Sequence, residues 1–240
     1  MGVYYNDIGV IYDKSRVVYD IPDWYTVNGN TVRYYPLNDT TDYSPYNATL
    51  TNSGVTFDKG YAEFVVDASA NMLQDKTFNF SQLTANYTIF SWEKLYTGST
   101  TFQYNWYIDG VGSEYQILDH RNNNDTRLRT WVTSGQDVID TTSITPDTWF
   151  WTCAVQYFGS YRALWVGDEN GITWTGRTES PNADAISSFD TITFGNDINN
   201  SRTNGRNGAI SGVIIEKIRW FEADILTQVA KGPQFNYTGW

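Results

Sequence analysis

Residues 148–171 read TWFWTCAVQYFGSYRALWVGDENG, and the spacing of their side chains decides the fold class. Trp149, Trp151, Cys153, Val155 and Tyr157 are apolar at every second position, and Ala163, Trp165 and Gly167 resume that spacing after the break at Phe158-Gly159-Ser160. A period of two is the period of a pleated strand with one packed face. Asp168-Glu169-Asn170-Gly171 tolerate the positive φ of a tight reversal, so Ile172 to Thr175 is expected to return as a third strand. Three strands joined in series make a meander, the basic unit of an all-β domain, and the aromatic loading points to a sandwich whose surface grips sugars.

The same reading extends along the chain. Thr31–Tyr35, Val55–Val66, Ile89–Tyr96, Phe102–Ile108, Tyr115–Leu118, Leu128–Val132, Thr191–Gly195 and Ala209–Phe221 carry strand character between Gly-, Asn- and Asp-rich turns. Asp119 to Thr126 reads as a polar loop holding the only histidine, His120. One segment reads as helix: Asp224 as cap, Ile225 to Ala230 with Leu226 and Val229 on one face, and Gly232-Pro233 as the stop. Many short strands with a single helical turn fit an all-β, two-sheet antiparallel jelly-roll sandwich rather than a βαβ arrangement. The expected organisation is an N-terminal arm or edge hairpin over residues 1–30, the sandwich over 31–230, and an aromatic tail over 231–240.

Composition narrows the function. The 240 residues carry 27 acidic and 16 basic side chains, a net charge of −11, so the long-range field repels phosphate backbones and anionic lipid. Nucleic-acid binding and membrane insertion are therefore not expected. The 10 Trp and 18 Tyr exceed what packing alone uses, which leaves rings for partners. Cys153 stands alone in an apolar run, reads as a small buried hydrophobe, and cannot form an intrachain disulfide. The first twenty residues are interrupted by Asp7, Asp13, Lys14 and Arg16, and so hold no signal-peptide core.

In their order these pieces resemble the concanavalin A-like lectin and glucanase superfamily, and more closely its laminin-G-like jelly rolls. The resemblance rests on Tyr35-Pro36-Leu37 with Asp39, Asp42, Tyr43 and Ser44, on Trp149–Val155, on Ala163–Gly171, on Asp190–Asn196 and on Ile215–Phe221. It covers roughly residues 31–230 and implies a concanavalin A-like sandwich that carries enzymes, lectins and structural modules alike. Two departures stand out: Gly167 precedes Asp168 where the family has Asp before Gly, and Tyr46 and Ala48 flank Asn47 where it has small residues.

The chemistry follows from residue counts. The glucanases of the superfamily use E-x-D-x-x-E, and the only E-x-D here is Glu222-Ala223-Asp224, with Thr227 in the third place. A retaining hydrolase needs two carboxylates across one cleft, so no enzymatic activity is expected. A Ser-His-Asp arrangement would need His120 beside Asp119 without a G-x-S-x-G elbow, and a solvated loop histidine is the simpler expectation. One His and one Cys cannot make a zinc site. No cofactor is required; calcium is the one candidate ion, with Asp119, Asp125 and Asp197 as its oxygen donors, although acidic loops are usually just solvated.

For sugars, the rings nearest polar loops are Trp106, Tyr107, Trp131 and Trp174, with Arg202 and Arg206 as hydrogen-bond donors from the loop RTNGRN. For each ring, packing is the competing role. The expected function is a non-catalytic virion structural or decoration protein. Its lectin-like jelly roll would attach to other structural subunits, possess the option of homo-oligomerisation, and engage host glycans at the virion surface. An extracellular carbohydrate-binding module or adhesin is the alternative, and a glycoside hydrolase is the third class.

Overall fold

The computed structural model describes residues 11–13, 16–18, 24–58, 60–65, 71–83, 86–97, 102–110, 114–121, 125–132, 135–157, 160–178, 189–196 and 205–233. In chain order the strands are β1 (Ile11–Asp13), β2 (Arg16–Val18), β3 (Thr31–Tyr35), β4 (Thr51–Ser53), β5 (Thr56–Asp58), β6 (Tyr61–Phe64), β7 (Met72–Asp75), β8 (Asn86–Leu95), β9 (Phe102–Gly110), β10 (Tyr115–Arg121), β11 (Asp125–Val132), β12 (Gly135–Ser143), β13 (Trp149–Tyr157), β14 (Tyr161–Asp168), β15 (Gly171–Thr178), β16 (Phe189–Phe194) and β17 (Gly208–Glu216). A single helix, α1 (Glu222–Val229), follows.

Two antiparallel sheets make the sandwich. One runs β12-β11-β10-β9-β16-β7-β4 and the other β15-β14-β13-β8-β17-β6-β5, with β3 added on β17. The meander expected from residues 148–171 is present, with Trp151 opposite Gly167 and Val166 opposite Trp174. The short β1 and β2 pair with each other as a separate hairpin.

Both faces of the eight-stranded sheet are buried. Between the sheets lie Phe64, Trp106, Ile108, Phe150, Ile192 and Phe194. The alternating residues of β13 that first suggested one packed face, Trp151, Cys153 and Val155, instead belong to a second cluster with Trp24, Phe90 and Trp220. Because alternate residues of a strand point to opposite faces, this cluster sits on the sheet's outer face. Phe90 stacks on Trp151 at 6.1 Å, and Trp220 and Trp24 lie 5.7 and 6.4 Å from Phe90. Each indole so buried contributes roughly 1.5–3 kcal/mol or more from its apolar area.

The helix closes this outer core. Its buried residues are Ile225, Gln228 and Val229, whereas Leu226 is exposed, so the face expected from Leu226 and Val229 is rotated by one position. The helix also starts earlier than expected, at Glu222, and Asp224 acts from inside the first turn by accepting from the Phe221 N–H at 2.8 Å. The Trp24 carbonyl accepts from Gln228 and Lys231, and the Trp24 indole donates to the Gly232 carbonyl at 2.6 Å. Packing onto the sandwich therefore already begins at residue 24, ahead of the boundary expected at 31.

Other boundaries shift as well. β10 and β11 extend to Arg121 and back from Asp125, so the expected loop over residues 119–126 is mostly strand. β17 ends at Glu216, and residues 217–221 cross to the helix. The free thiol of Cys153 is fully buried, and burial pushes its pKa well up.

Candidate functional site

Two constellations concentrate polar chemistry: a sealed cluster between the sheets and an open cleft at one end of the sandwich. The sealed cluster centres on Glu93 of β8, whose side chain is 0% exposed. It faces the sheet interior together with Ser91 and, on the neighbouring strand, Thr152. The imidazole of His120 on β10 lies 2.7 Å from one carboxylate oxygen, and the Arg206 guanidinium donates to the same oxygen at 3.1 Å. Asn105 and Thr152 donate to the other at 2.5 Å each. Asn105 reaches it because β9 bulges there, leaving Leu118 opposite Trp106 and Asp119 opposite Tyr104; a bulge re-aims the extra residue.

His120 is thus no solvated loop residue. It is 0% exposed, with Thr126 on its other ring nitrogen at 3.0 Å. Hydroxyl, imidazole and carboxylate stand in line, but Thr126, His120 and Glu93 are all 0% exposed, so no substrate reaches them and the arrangement ties one sheet to the other. Burial raises the Glu93 pKa, but His120, Arg206 and Thr152 outweigh it and hold the carboxyl below its ordinary value of 4.5.

Asp75 behaves alike: burial raises it, and Tyr35, Arg33 and Thr77 hold it below 3.8. A carboxylate with a depressed folded pKa contributes stability above its unfolded value, and that contribution is lost as pH falls through the folded value. Thermal melts at constant ionic strength are therefore expected to give a Tm that falls steeply below about pH 4. A Tm unchanged at pH 3 would refute this.

The sequence-nominated residues fall in different places. Trp106 is 1% exposed in the inter-sheet core and Arg206 is 0% exposed on Glu93, so neither offers a face or a donor to a sugar. Packing and ion pairing claimed them. Tyr107 is half-buried and stacks on Tyr115 at 5.8 Å. Trp131 lies in β11 opposite Tyr115, and its side chain is outside the described residues, as are Arg202 and Asp197. Asp119 is no loop ligand: it is 0% exposed, and its oxygens accept from Arg127 and Arg129. Asp125 begins the opposite strand beside Ser143. Among the described residues no three or more His, Cys, Asp or Glu are grouped to hold a metal ion.

Trp174 does line an open site. A cleft of about 180 Å³ is formed by Thr141, Ile144, Thr145, Thr148, Trp149, Phe150, Val166, Gly167, Asp168, Thr173 and Trp174. It lies where β12 of one sheet packs against β15 of the other. Its volume is comparable with the roughly 150 Å³ of an enclosed protein cavity that binds benzene.

Local sequence builds this cleft. In β15 the register shifts between Val166 and Gly167, leaving Thr173 as the extra residue, so Thr173 and Trp174 both reach the cleft. The Trp174 ring lies over Gly176, where a Cβ would meet its Cη2 at 1.9 Å; an aromatic side chain laid over a strand glycine shields that backbone. A Cβ on Gly167 would meet the Gly171 carbonyl at 2.0 Å, so glycine is required where β14 and β15 close. Asp168 Oδ1 accepts from the Asn170 N–H at 2.8 Å, and the Asp168 carbonyl accepts from the Trp151 indole at 2.9 Å. This leaves Asp168 Oδ2 without a partner among the described residues. Phe150 forms the inner wall and meets His120 edge-on at 5.6 Å, which separates the cleft from the Glu93 cluster.

Trp149 and Asp168 were missed as site residues because strand alternation and turn composition already accounted for them. The available signal was the pair of glycines at 167 and 176 bracketing Trp174.

No family model matches the chain, and no curated protein matches it. Solved structures do share the fold. The botulinum neurotoxin serotype D binding domain aligns with TM-score 0.67 at 15% identity over 86% of this chain and 53% of that one. The binding domain of botulinum neurotoxin DC in complex with rat synaptotagmin II gives 0.67 at 14% identity, over 85% and 52%. A structure titled for the dependence of botulinum neurotoxin type C cell entry on two ganglioside molecules gives 0.66 at 14%, over 89% and 52%. The chain thus spans about half the length of these structures.

Proposed function

We propose that this chain is a non-catalytic, lectin-like binding module that holds a single sugar ring in the cleft beneath Trp174. The observation that carries the reading is the cleft itself. An indole fixed over Gly176 lines a space of about 180 Å³ together with Thr141, Thr145, Thr148, Thr173 and Asp168. Aromatic faces stack on the C–H side of a pyranose while carboxylate and hydroxyl groups take its hydroxyls. The shared fold with toxin receptor-binding domains, one titled for ganglioside interaction and one for a synaptotagmin complex, supports adhesion rather than catalysis, and the concanavalin A-like resemblance agrees with it.

The expected affinity is low. A pyranose of about 12 non-hydrogen atoms at about 0.3 kcal/mol per atom binds with about 4 kcal/mol, a Kd of about 1 mM. Ligand-observed NMR with simple methyl glycosides is the suitable assay. Trp174→Ala is expected to weaken binding about tenfold, equivalent to about 1.4 kcal/mol, with a cooperative melting transition above the assay temperature marking the variant as folded. Gly176→Ala, which leaves the indole in the sequence but pushes it off its seat, is expected to weaken binding as well. Full binding by Trp174→Ala would remove the cleft as the site.

The finer placement on a virion, docked on other structural subunits, rests on the aromatic segments 1–20 and 234–240. Light scattering before and after deletion of residues 1–20 tests it: assembly lost with the segment supports attachment, and a monomer that binds sugars unchanged supports an extracellular module.

A further inference from the structure

Resting on the sugar-binding reading of the cleft, we infer that it selects an uncharged pyranose and rejects acidic sugars, through Asp168. Among the described residues of the cleft lining Asp168 is the only charged one, and none is Lys, Arg or His. One carboxylate oxygen is fixed by the Asn170 N–H at 2.8 Å, so the group is held in place and its other oxygen is left to accept a hydroxyl. An ionised carboxylate accepts only, and a neutral sugar presents the donors it needs.

An acidic ring in the same place would set a second carboxylate within a few ångströms of the first. None of the described lining residues would neutralise it, and the guanidiniums of Arg127 and Arg129 are engaged by Asp119, that of Arg206 by Glu93. Like charges in contact at a partly desolvated site repel strongly, and salt screens such a pair less than an exposed one. The net charge of −11 adds a field of the same sign.

The test uses matched probes that differ in a single group: methyl glucoside, galactoside and mannoside, each against its uronic acid and the uncharged amide of that acid. Binding to the whole protein is followed by ligand-observed NMR and Trp fluorescence, in wild type, Trp174→Ala and Asp168→Asn. The expected result is that at least one neutral glycoside and its amide bind, that the acid binds at least about tenfold more weakly, and that Asp168→Asn narrows this gap. Acids that bind as well as their amides in a Trp174-dependent manner would overturn the charge selection and leave the sugar-binding reading standing. A gap unchanged in Asp168→Asn would overturn the role of Asp168. If no probe binds, or binding is indifferent to Trp174, the reading of the cleft itself falls.

Discussion

Glu93→Gln is expected to cost the fold about 3–5 kcal/mol, the usual loss when one partner of a buried ion pair is removed. The carboxylate accepts from His120, Arg206, Asn105 and Thr152 at once. An amide has one acceptor, and its NH2 would point at a donor whichever way it turned. Arg206, 0% exposed, would keep its charge with no counterion. Because a domain's whole stability is about 5–15 kcal/mol, the variant should unfold at much lower urea with a similar m-value. Pairing it with Arg206→Met, which removes the stranded charge, should recover part of the loss. A single-variant loss below about 1 kcal/mol would show that the cluster is not a strong tie between the sheets.

The second large effect is expected at Arg33, on β3. Its Nε donates to Asp75 at 2.6 Å and lies 3.6 Å from Asp42, and all three side chains are 0% exposed. Tyr35 also donates to Asp75 at 2.6 Å. Asp42 accepts from the backbone N–H groups of Tyr34, Ser44 and Ala48 and from the Ser44 hydroxyl, which folds the loop after β3 back on the strand. Arg33→Met leaves two buried carboxylates without a cation, so a loss of about 3–5 kcal/mol or more is expected.

The variant also carries a pH signature. With the cation gone, the burial that pushes the Asp75 carboxyl upward is opposed by its Tyr35 and Thr77 hydrogen bonds alone, so its folded pKa rises and stability is expected to increase as pH is lowered from 7 towards 5. In wild type Asp75, held below 3.8, makes no such contribution. Arg33→Lys is expected to rescue little, because a point ammonium does not reproduce the planar set of donors that also reaches the Val32 carbonyl and Thr77. Thermal melts of the three proteins at pH 7, 6 and 5 check this, and a destabilised Arg33→Met that did not recover on acidification would contradict it.

These two networks show where sequence reading stopped. The meander, the strand character of β5 and β6 and the α-helix follow from short-range periodicity, which local steric rules enforce. Met72–Asp75 and Gly135–Ser143 escaped it: MLQD has no β-branched residue, and GQDVIDTTS alternates weakly with polar side chains. Asp119 and His120 looked like loop because polarity was taken for exposure. Their burial depends on partners far along the chain, Glu93 and Arg206 lying 113 residues apart, and no local pattern carries that pairing.

The aromatic alternation of β13 was legible, but its meaning was not. It marked the face under the helix, while the inward face carries Thr152 and Gln156 bonded to Glu93 and Arg162. Of the nominated sugar-binding residues whose side chains are described, Trp174 alone sits in the cleft, found because it neighbours a turn. The bulge at Thr173 that aims it is a register property, invisible until the strands are paired.

The packing of β12 against β15 sets the two longest sheet margins against each other, while at the far side the margins are β4 and β5, three residues each. The remaining margin, β3, is capped where the Tyr43 N–H donates to the Tyr34 carbonyl at 2.8 Å. Long unpaired margins are what recruit foreign strands into growing aggregates, and short or covered ones do not. Among the described strands of the two large sheets, the margins therefore offer little template for a foreign strand.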